Sequence, residues 1–417
     1  MSTRTIKRLL CTTGLALPLA VGLGAADVQA QQQQRQERQE DNPFQPLGIR
    51  AGAFLVHPQL AVSGTYDDNI FADDENEEDD FFLDVQPSVT AESQWSRHEL
   101  NVTAGADTSF YVDNTDNNYF DYGIDAEGRL DVLRGSRLNA RLSLGRDHEL
   151  RTSQDDAGQD EITQIYRGVA DLNYRHNFNR VFVQPGVIFR RNDFTDTDDI
   201  NNDDRDNLRS IYRLRAGYAV SPRFNVFGQG DYVVVDYDET PNDQGIDRNS
   251  DGYAIGGGVE VELTNILVGE VGIGYREQSY DDDALSDFSG IGANAALTWY
   301  LTRLTTIVAS VDADVEETTV SFEGEPASSV YAINAGVEAT HELRRNILLS
   351  GNLNYLRDDF EGTSRVDDTF VAGAGLRYLL NRNLGVDATY GFATRSSDAD
   401  NGDFTRNIFR IGVVARL

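Results

Sequence analysis

The sequence predicts an all-β fold: a transmembrane, up-and-down antiparallel β-barrel of about 18 strands, with 16 as the alternative count. Three observations predict it. Apolar and polar residues alternate in run after run, short turns alternate with long acidic loops, and the N-terminus has the features of a secretory signal peptide.

The N-terminus is read as a removable leader. A basic start precedes an apolar run from Leu9 to about Ala26, and a small-residue cleavage site ends at Ala30. We therefore predict a signal peptide over 1–30. The single cysteine, Cys11, lies inside it, so the mature chain is predicted to form no disulfide.

Two further regions follow the leader. Residues 31–50 are rich in Gln, which predicts a disordered periplasmic tail, and 51–417 are assigned to the barrel. The whole chain has 37 Gly, 20 Phe and 18 Tyr beside one Met, which favours a sheet. The net charge of −33 gathers in segments such as 73–80 and argues against nucleic acid as a partner.

From residue 52 onward, one hairpin unit recurs along the chain. Short turns fall near 96, 135, 179, 222, 264, 302, 345 and 382, and long acidic loops separate the hairpins. Within the strands one parity is apolar: Leu138, Ala140 and Leu142 alternate with polar neighbours. Aromatic residues such as Trp95 and Trp299 sit near run ends, where interfacial girdles are expected. A soluble β-solenoid or sandwich would share the alternation but not the leader and the two kinds of turn.

The last predicted strand lies within 403–417. Its alternate residues are apolar, and we expect it to pair with the first strand, because a free edge is costly in lipid. Its polar-x-Gly-x-x-apolar-x-apolar pattern resembles the signal read by the barrel-assembly machinery, which would then be a partner. The residues carrying that pattern are Arg410, Gly412, Ala415 and Leu417.

The opening of the barrel region carries a family resemblance. Residues 54–62, 65–71 (TYDDNIF) and 93–98 (SQWSRH) resemble the first hairpins of the putative beta-barrel porin 2 family, and the resemblance covers about 50–417. It implies a place in the outer membrane of a Gram-negative cell after leader removal, among lipid and lipopolysaccharide. Some members resemble components beside surface-polysaccharide export machinery, which makes that machinery a further candidate partner.

Strand parity also predicts which charges face the lumen. The basic set comes from strands five to eight: Arg141, Arg167, Arg175, Arg190, Arg209, Arg213 and Arg215. The acidic set comes from strands ten to fourteen: Glu260, Glu262, Glu270, Asp312, Asp314, Glu316 and Glu338. Any aqueous lumen needs polar side chains, so hydration of the lumen wall is enough to explain these charges. The more specific hypothesis is a transverse field across a constriction, which would select polar solutes.

Candidate chemistry in the sequence is sparse. The five histidines form no catalytic pair and there is no Gly-x-Ser-x-Gly elbow, so no enzyme is expected. Asp247, Asn249 and Asp251 match the first half of a calcium loop, but the bidentate Glu is replaced by Gly258. A solvated acidic loop is the simpler explanation of these residues. No cofactor is expected beyond weak Ca²⁺ or Mg²⁺ association with the acidic loops.

The predicted function is a porin-like conduit for hydrophilic solutes or for secreted surface polysaccharide. The alternative is a structural or adhesive surface barrel with cation-binding loops and a plugged lumen. The predicted loops are short for a large plug, which favours the conduit.

Overall fold

A computed structural model describes residues 43–153, 161–198, 200–263 and 266–417. The predicted leader, most of the predicted tail and the turn at 264–265 lie outside these residues. The described chain forms a sheet of 19 strands, of which one is the short strand Ile49–Ala51 and the other 18 form the barrel wall. The predicted strand count is confirmed.

The first nine wall strands run from the N-terminal half of the chain. They are β1 (Phe54–Asp67), β2 (Asp80–Ser93), β3 (Glu99–Tyr111), β4 (Tyr119–Leu133), β5 (Ser136–His148), β6 (Gln164–Phe178), β7 (Val181–Phe194), β8 (Asn207–Ser221) and β9 (Phe224–Tyr237).

The remaining nine strands complete the wall. They are β10 (Ser250–Leu263), β11 (Leu267–Tyr280), β12 (Phe288–Trp299), β13 (Thr305–Glu317), β14 (Ser329–Arg344), β15 (Ile347–Phe360), β16 (Val366–Leu379), β17 (Leu384–Ser397) and β18 (Phe404–Arg416). Every sequential pair is antiparallel. A small hairpin, Ser321–Phe322 with Glu325–Pro326, lies in the loop between β13 and β14.

The barrel closes where the last strand meets the first. Strand β18 pairs with β1 over a register that places Ala415 opposite Leu60 and Gly412 opposite Ser63. Arg410 faces inward, and its Nε donates to Thr65 Oγ1 at 3.0 Å. Ala415 and Leu417 face outward with the apolar parity of the strand. The predicted closure is confirmed; recognition by assembly machinery stays a prediction.

The boundary of the predicted tail needs a correction. Ile49–Ala51 forms a short strand antiparallel to the start of β1, with Ile49 opposite Val56. It extends the edge of β1 beyond the end of β18. Ordered pairing therefore begins before residue 51, because β1 is longer than the edge that β18 covers.

Alternate residues of the wall face outward and are apolar. In β18, Phe409, Ile411 and Val413 are 52%, 69% and 47% exposed, whereas Arg406 and Val414 are buried on the inner side. Exposed aromatics form a girdle toward the long-loop end: Phe81, Phe110, Phe120, Tyr122, Tyr166, Phe189, Tyr212, Tyr232, Tyr253, Tyr275, Tyr355, Phe370, Tyr390 and Phe409. A sparser set follows the short-turn end: Trp95, Phe178, Tyr218, Trp299 and Tyr378. This pair of girdles is typical of membrane barrels.

The long loops at one end of the barrel contact one another. Arg205, from the loop after β7, donates to both oxygens of Glu149, after β5, at 2.6 and 3.0 Å. Arg151 lies over the ring of Phe71, in the first long loop. Thr152 accepts from Arg395 of β17 at 3.2 Å, so the loop after β5 reaches across the mouth.

One strand pair is incomplete. Strands β12 and β13 pair only between 293–299 and 307–313, near the short turns. Beyond Ala293 and Ala313, toward the long loops, residues 288–292 pair only with β11 and 314–317 pair only with β14. We call this stretch the β12–β13 seam. Separately, the described residues include no helix long and apolar enough to span a membrane.

A substitution at Gly412 tests the closure. A Cβ there would lie 2.7 Å from Ser63 Cβ and 2.9 Å from the Val62 carbonyl oxygen, so Gly412→Val must displace β1. We expect most of the protein to lose heat-modifiable migration on a gel. Gly64, in the neighbouring strand, has open space around it. Gly64→Val is therefore the matched control, and equal loss in both variants would contradict the closure argument.

Candidate functional site in the barrel interior

The described strands place all the predicted basic and acidic lumen residues on the inner parity. Each alternates with exposed outer neighbours such as Leu142, Leu214, Ile273 and Val337. The inner residues are Arg141, Arg167, Arg175, Arg190, Arg209, Arg213, Arg215, Glu260, Glu262, Glu270, Asp312, Asp314, Glu316 and Glu338. Inner placement alone does not make them pore-lining, because several are buried in contacts.

The basic and acidic sectors meet in an ion-pair network near the short-turn end. Arg175 of β6 donates to the two oxygens of Glu260 in β10 at 3.1 and 3.3 Å. Arg215 of β8 donates to those of Glu270 in β11 at 2.8 and 2.9 Å. Glu260 and Glu270 lie opposite each other in register. Since these strands are not neighbours, the guanidinium groups reach over the inside of the wall.

Desolvation of this network is offset by further polar contacts. Asn225 donates to Glu260 at 2.8 Å, and Arg215 Nε donates to Gln229 at 2.8 Å. Buried charges persist only when they are paired and hydrogen-bonded, and here both conditions hold. The network therefore consolidates one side of the barrel.

Two inward phenylalanines support the same arginines. The guanidinium carbon of Arg175 lies 3.6 Å from the ring centre of Phe182, and that of Arg215 lies 4.0 Å from the ring centre of Phe227. Phe182 in turn covers Gly217 on the next strand, where an added Cβ would meet the ring at 2.4 Å. The sequence analysis missed these rings. Their signal is an aromatic residue at a position whose parity is otherwise polar.

A second cluster forms near the long-loop end. Arg209 Nη1 of β8 donates to the Val315 carbonyl of β13 at 2.9 Å and lies 3.5 Å from Glu317. Gln278 of β11 donates to Glu317 at 3.0 Å. Tyr237 of β9 also donates to Glu317, at 3.4 Å. The end of β13 thus bends inward, away from β12 and toward the inner face of β8, β9 and β11.

Arg248 fixes the loop beyond this bend. It lies in the loop before β10 and is 1% exposed. Its Nη1 donates to the carbonyls of Thr318 and Ala327 at 2.8 and 2.9 Å. These carbonyls flank the small hairpin between β13 and β14. That hairpin is therefore held over one sector of the mouth.

An apolar cluster also lies on the inner face, which parity alone did not predict. It comprises buried Ile211, Val233, Val235 and Tyr237 with half-buried Ile188 packed against them. A second group brings Ala72, from the first long loop, onto Val371, Ala393 and Phe404. The interior is therefore partly packed near the long loops.

Solvent reaches the interior along β5 and β6. The side chains of Arg141 and Arg167 are 45% and 48% exposed although both face inward. Their pairs are loose, with Arg141 at 3.3 Å from Asp125 and Arg167 at 3.5 Å from Asp147. The packed side and the wet side of the lumen are therefore different sectors of the wall.

One opposed pair of charges stays unbridged. Arg190 of β7 is half-buried and makes no hydrogen bond or ion pair with any residue the structure describes. It lies near enough to interact electrostatically with Arg209 and Arg213 of β8 as well as with Asp312 and Glu316 of β13. Asp312 in turn interacts with Arg190 and Arg276. Arg213, by contrast, pairs with Asp231 on the adjacent strand at 2.8 Å.

The predicted transverse arrangement is therefore corrected in part. The hypothesis was a transverse field across a constriction between a basic and an acidic sector, but Arg175, Arg209 and Arg215 contact acidic partners directly. The reason is that the inner side chains of non-neighbouring strands reach one another on this side of the barrel. Arg190 and Asp312 remain opposite charges that no direct contact joins.

The candidate calcium loop is not assembled. Asp247 accepts the Asn249 amide, Asn249 Oδ1 accepts the Tyr237 amide at 2.8 Å, and Asp251 accepts the Tyr232 hydroxyl on the outer surface. Within the described ranges, no group of three His, Cys, Asp or Glu residues is placed to hold a metal ion. These three side chains have separate hydrogen-bond partners, and a metal site on them stays a prediction.

Acidic residues do converge between the loops after β7 and β9. Burial raises the pKa of Glu239, and the nearby carboxylates of Asp203 and Asp243 raise it further. Burial also raises the pKa of Asp204, against the opposing effect of Arg248 and Arg205. These loops therefore concentrate negative charge at the mouth.

The closed antiparallel wall, two aromatic girdles and polar interior define an outer-membrane β-barrel of the porin type. The sequence profile described as Putative beta-barrel porin 2 matches residues 42–417. The chain belongs to that family, and the predicted resemblance is confirmed. No curated protein matches the sequence.

Solved structures with a similar backbone trace include an outer-membrane protein. OpdK from Pseudomonas aeruginosa is 10% identical, with 87% of this chain and 98% of that chain covered and a TM-score of 0.42. OccAB3 from Acinetobacter baumannii is 10% identical, with 87% and 99% covered and a TM-score of 0.42. A mutant of the ferric enterobactin receptor from Pseudomonas aeruginosa is 7% identical, with 87% and 80% covered and a TM-score of 0.45.

Removing one partner of the buried network should be costly. We expect Arg215→Met to lower the free energy of unfolding by about 3–5 kcal/mol, because Glu270 loses its bidentate partner. The double variant Arg215→Met with Glu270→Met should regain most of it. Arg141→Met, at an exposed pair, should change it by about 0–1 kcal/mol. Urea unfolding in detergent micelles measures all three, and equal effects at Arg215 and Arg141 would contradict the burial argument.

Proposed function

We propose that this barrel is a conduit for small hydrophilic solutes across the outer membrane. The observation that carries the proposal is the wet inner sector along β5 and β6, where the inward Arg141 and Arg167 are nearly half exposed. An 18-stranded ring is wide enough for an aqueous path beside the packed sector. Membership of a porin family agrees with this use.

The unbridged charges set the selectivity in this proposal. Arg190 projects inward from β7 and Asp312 from β13. A solute passing between them meets a cation on one face and an anion on the other, which orients dipolar and zwitterionic molecules. The other inner charges that pair directly contribute less field, because each is compensated by its partner.

Secreted polysaccharide is a less well supported cargo. The described interior shows no continuous aromatic track along which sugar rings stack, and the family description names only a porin. A structural barrel with a plugged lumen is favoured by one observation, the loop contacts that hold the small hairpin over part of the mouth. Conductance separates these uses, since a plugged barrel passes no ions.

Loop carboxylates suggest how the surface meets lipopolysaccharide. Asp203, Asp204, Glu239 and Asp243 interact with one another, and phosphates of the outer leaflet add further negative charge. Weak, shared Ca²⁺ or Mg²⁺ would lower this repulsion without a dedicated site. Titration calorimetry with Ca²⁺ at low salt should give heat with millimolar affinity, and the absence of heat would remove this part of the proposal.

Conductance in planar bilayers tests the conduit. Wild-type protein should pass KCl, and Arg190→Glu should shift the reversal potential in a KCl gradient toward cation selectivity, because the inner wall loses a cation and gains an anion. A several-fold change in the cation-to-anion permeability ratio is expected. A protein that inserts and folds but passes no current would overturn the proposal.

The adjacent residue supplies a matched control. Arg191 faces outward and pairs with Asp238 in the next long loop. Arg191→Glu changes the total charge equally but outside the lumen, so it should leave the reversal potential nearly unchanged. Equal shifts in the two variants would show that overall charge, rather than the lumen, sets selectivity.

A further inference from the structure

The β12–β13 seam is the place where the described wall lacks its backbone ladder. Residues 291 and 315 would face each other if the register of Ala293 with Ala313 continued. Instead the end of β13 bends inward. An open sheet edge is not tolerated in lipid unless its polar groups find other partners.

Side chains supply those partners. The Tyr331 hydroxyl of β14 donates to the Ile291 carbonyl of β12 at 2.7 Å. The Val315 amide donates to Asp314 Oδ1 at 2.6 Å, and the Val315 carbonyl accepts from Arg209. The separation of the strands is therefore stabilised by bonds that an intact ladder would exclude.

Aromatic rings fill the seam: Phe288 lies on the inner parity of β12 and Tyr331 on the outer parity of β14. Phe288 and Tyr331 stack with ring centres 5.3 Å apart, and Phe288 is 4% exposed. Val315 is 1% exposed although it lies on the outer parity of β13, so it is covered here. Ile291, in register with Tyr275 of the aromatic girdle, is 60% exposed to the outside. The seam thus lies at the level where lipid chains meet headgroups.

A cation lies on the inner side. Arg276 of β11 reaches past β12 to contact Asp314 of β13. Its Nε is buried and has no hydrogen-bond partner in the part of the chain that the structure describes. An incoming anionic group could replace Asp314 and also use this donor. Apolar rings within the seam and an under-used guanidinium on its inner side match a molecule with an acyl tail and an acidic head.

We propose that the β12–β13 seam is a lateral portal through which an anionic amphiphile passes between the lumen and the outer leaflet, with Phe288 and Tyr331 as its closure and Arg276 as its headgroup contact. The closure is made of side-chain contacts only, so it opens by rotating two rings. At another strand pair, a portal would open only by breaking the backbone hydrogen bonds between the two strands. This route is additional to the proposed passage of hydrophilic solutes along the barrel axis.

Photolabelling with a diazirine-bearing fatty acid tests the portal. The full-length mature protein is reconstituted in vesicles of phosphatidylethanolamine and phosphatidylglycerol, irradiated, and mapped by peptide mass spectrometry. We expect label on inward residues beside the seam, Asn294 and Asp312, and several-fold more of it in Phe288→Ala with Tyr331→Ala. Label confined to outward residues in both proteins would overturn the proposal.

Two controls sharpen the outcome. Tyr355→Ala removes a girdle tyrosine at an intact strand pair, between β15 and β16, and should leave the inward label at the wild-type level. Arg276→Gln should lower inward labelling by the fatty acid but not by a diazirine fatty alcohol, which has no acidic head. Equal loss for both probes would remove the headgroup contact from the proposal.

Folding and axial conductance are measured on the same samples. Heat-modifiable migration shows that each variant has closed, and KCl conductance reports the axial path. A protein that conducts but is never labelled inside retains the proposed conduit and loses the portal. A protein that is labelled inside but does not conduct retains the portal and loses the conduit.

Discussion

A membrane sheet has no free edge, and the rest of this structure depends on that constraint. In hydrocarbon every backbone amide and carbonyl needs a partner within the protein, so the chain must return its last strand to its first. The pairing of β18 with β1 meets this need, and Ile49–Ala51 continues it where β18 ends. At the β12–β13 seam the constraint is met differently: a tyrosine hydroxyl, a carboxylate and a guanidinium take the place of the missing strand neighbour.

The wall could be predicted from the sequence because its signal is local. Alternation along each strand fixes which side chains face lipid, and the two kinds of turn fix the up-and-down order, so the strand count and the closing strand were both predictable. The inner charges were placed on the correct face for the same reason. A spacing rule for a loop could not predict the partners of Asp247, Asn249 and Asp251, because this segment leads into β10 and each of the three side chains accepts a different hydrogen bond.

Contacts across the interior could not be predicted, since parity carries no information on the cross-section of the ring. Arg175 and Glu260 are 85 residues apart and lie on strands that are not neighbours. Only the shape of the barrel brings them together. Two signals were nevertheless present in the sequence. Phe182 and Phe227 break the polar parity, and glycines such as Gly217 stand where a neighbouring ring needs space.

The contacts between the long loops affect how antibodies recognise this face of the barrel. Glu149 with Arg205, and Thr152 with Arg395, join segments that are far apart in the chain. The exposed face is therefore a composite of several loops, each shaped by its neighbours. An antibody raised against one loop as a free peptide would meet a different conformation on the folded barrel, so epitopes on this face are conformational.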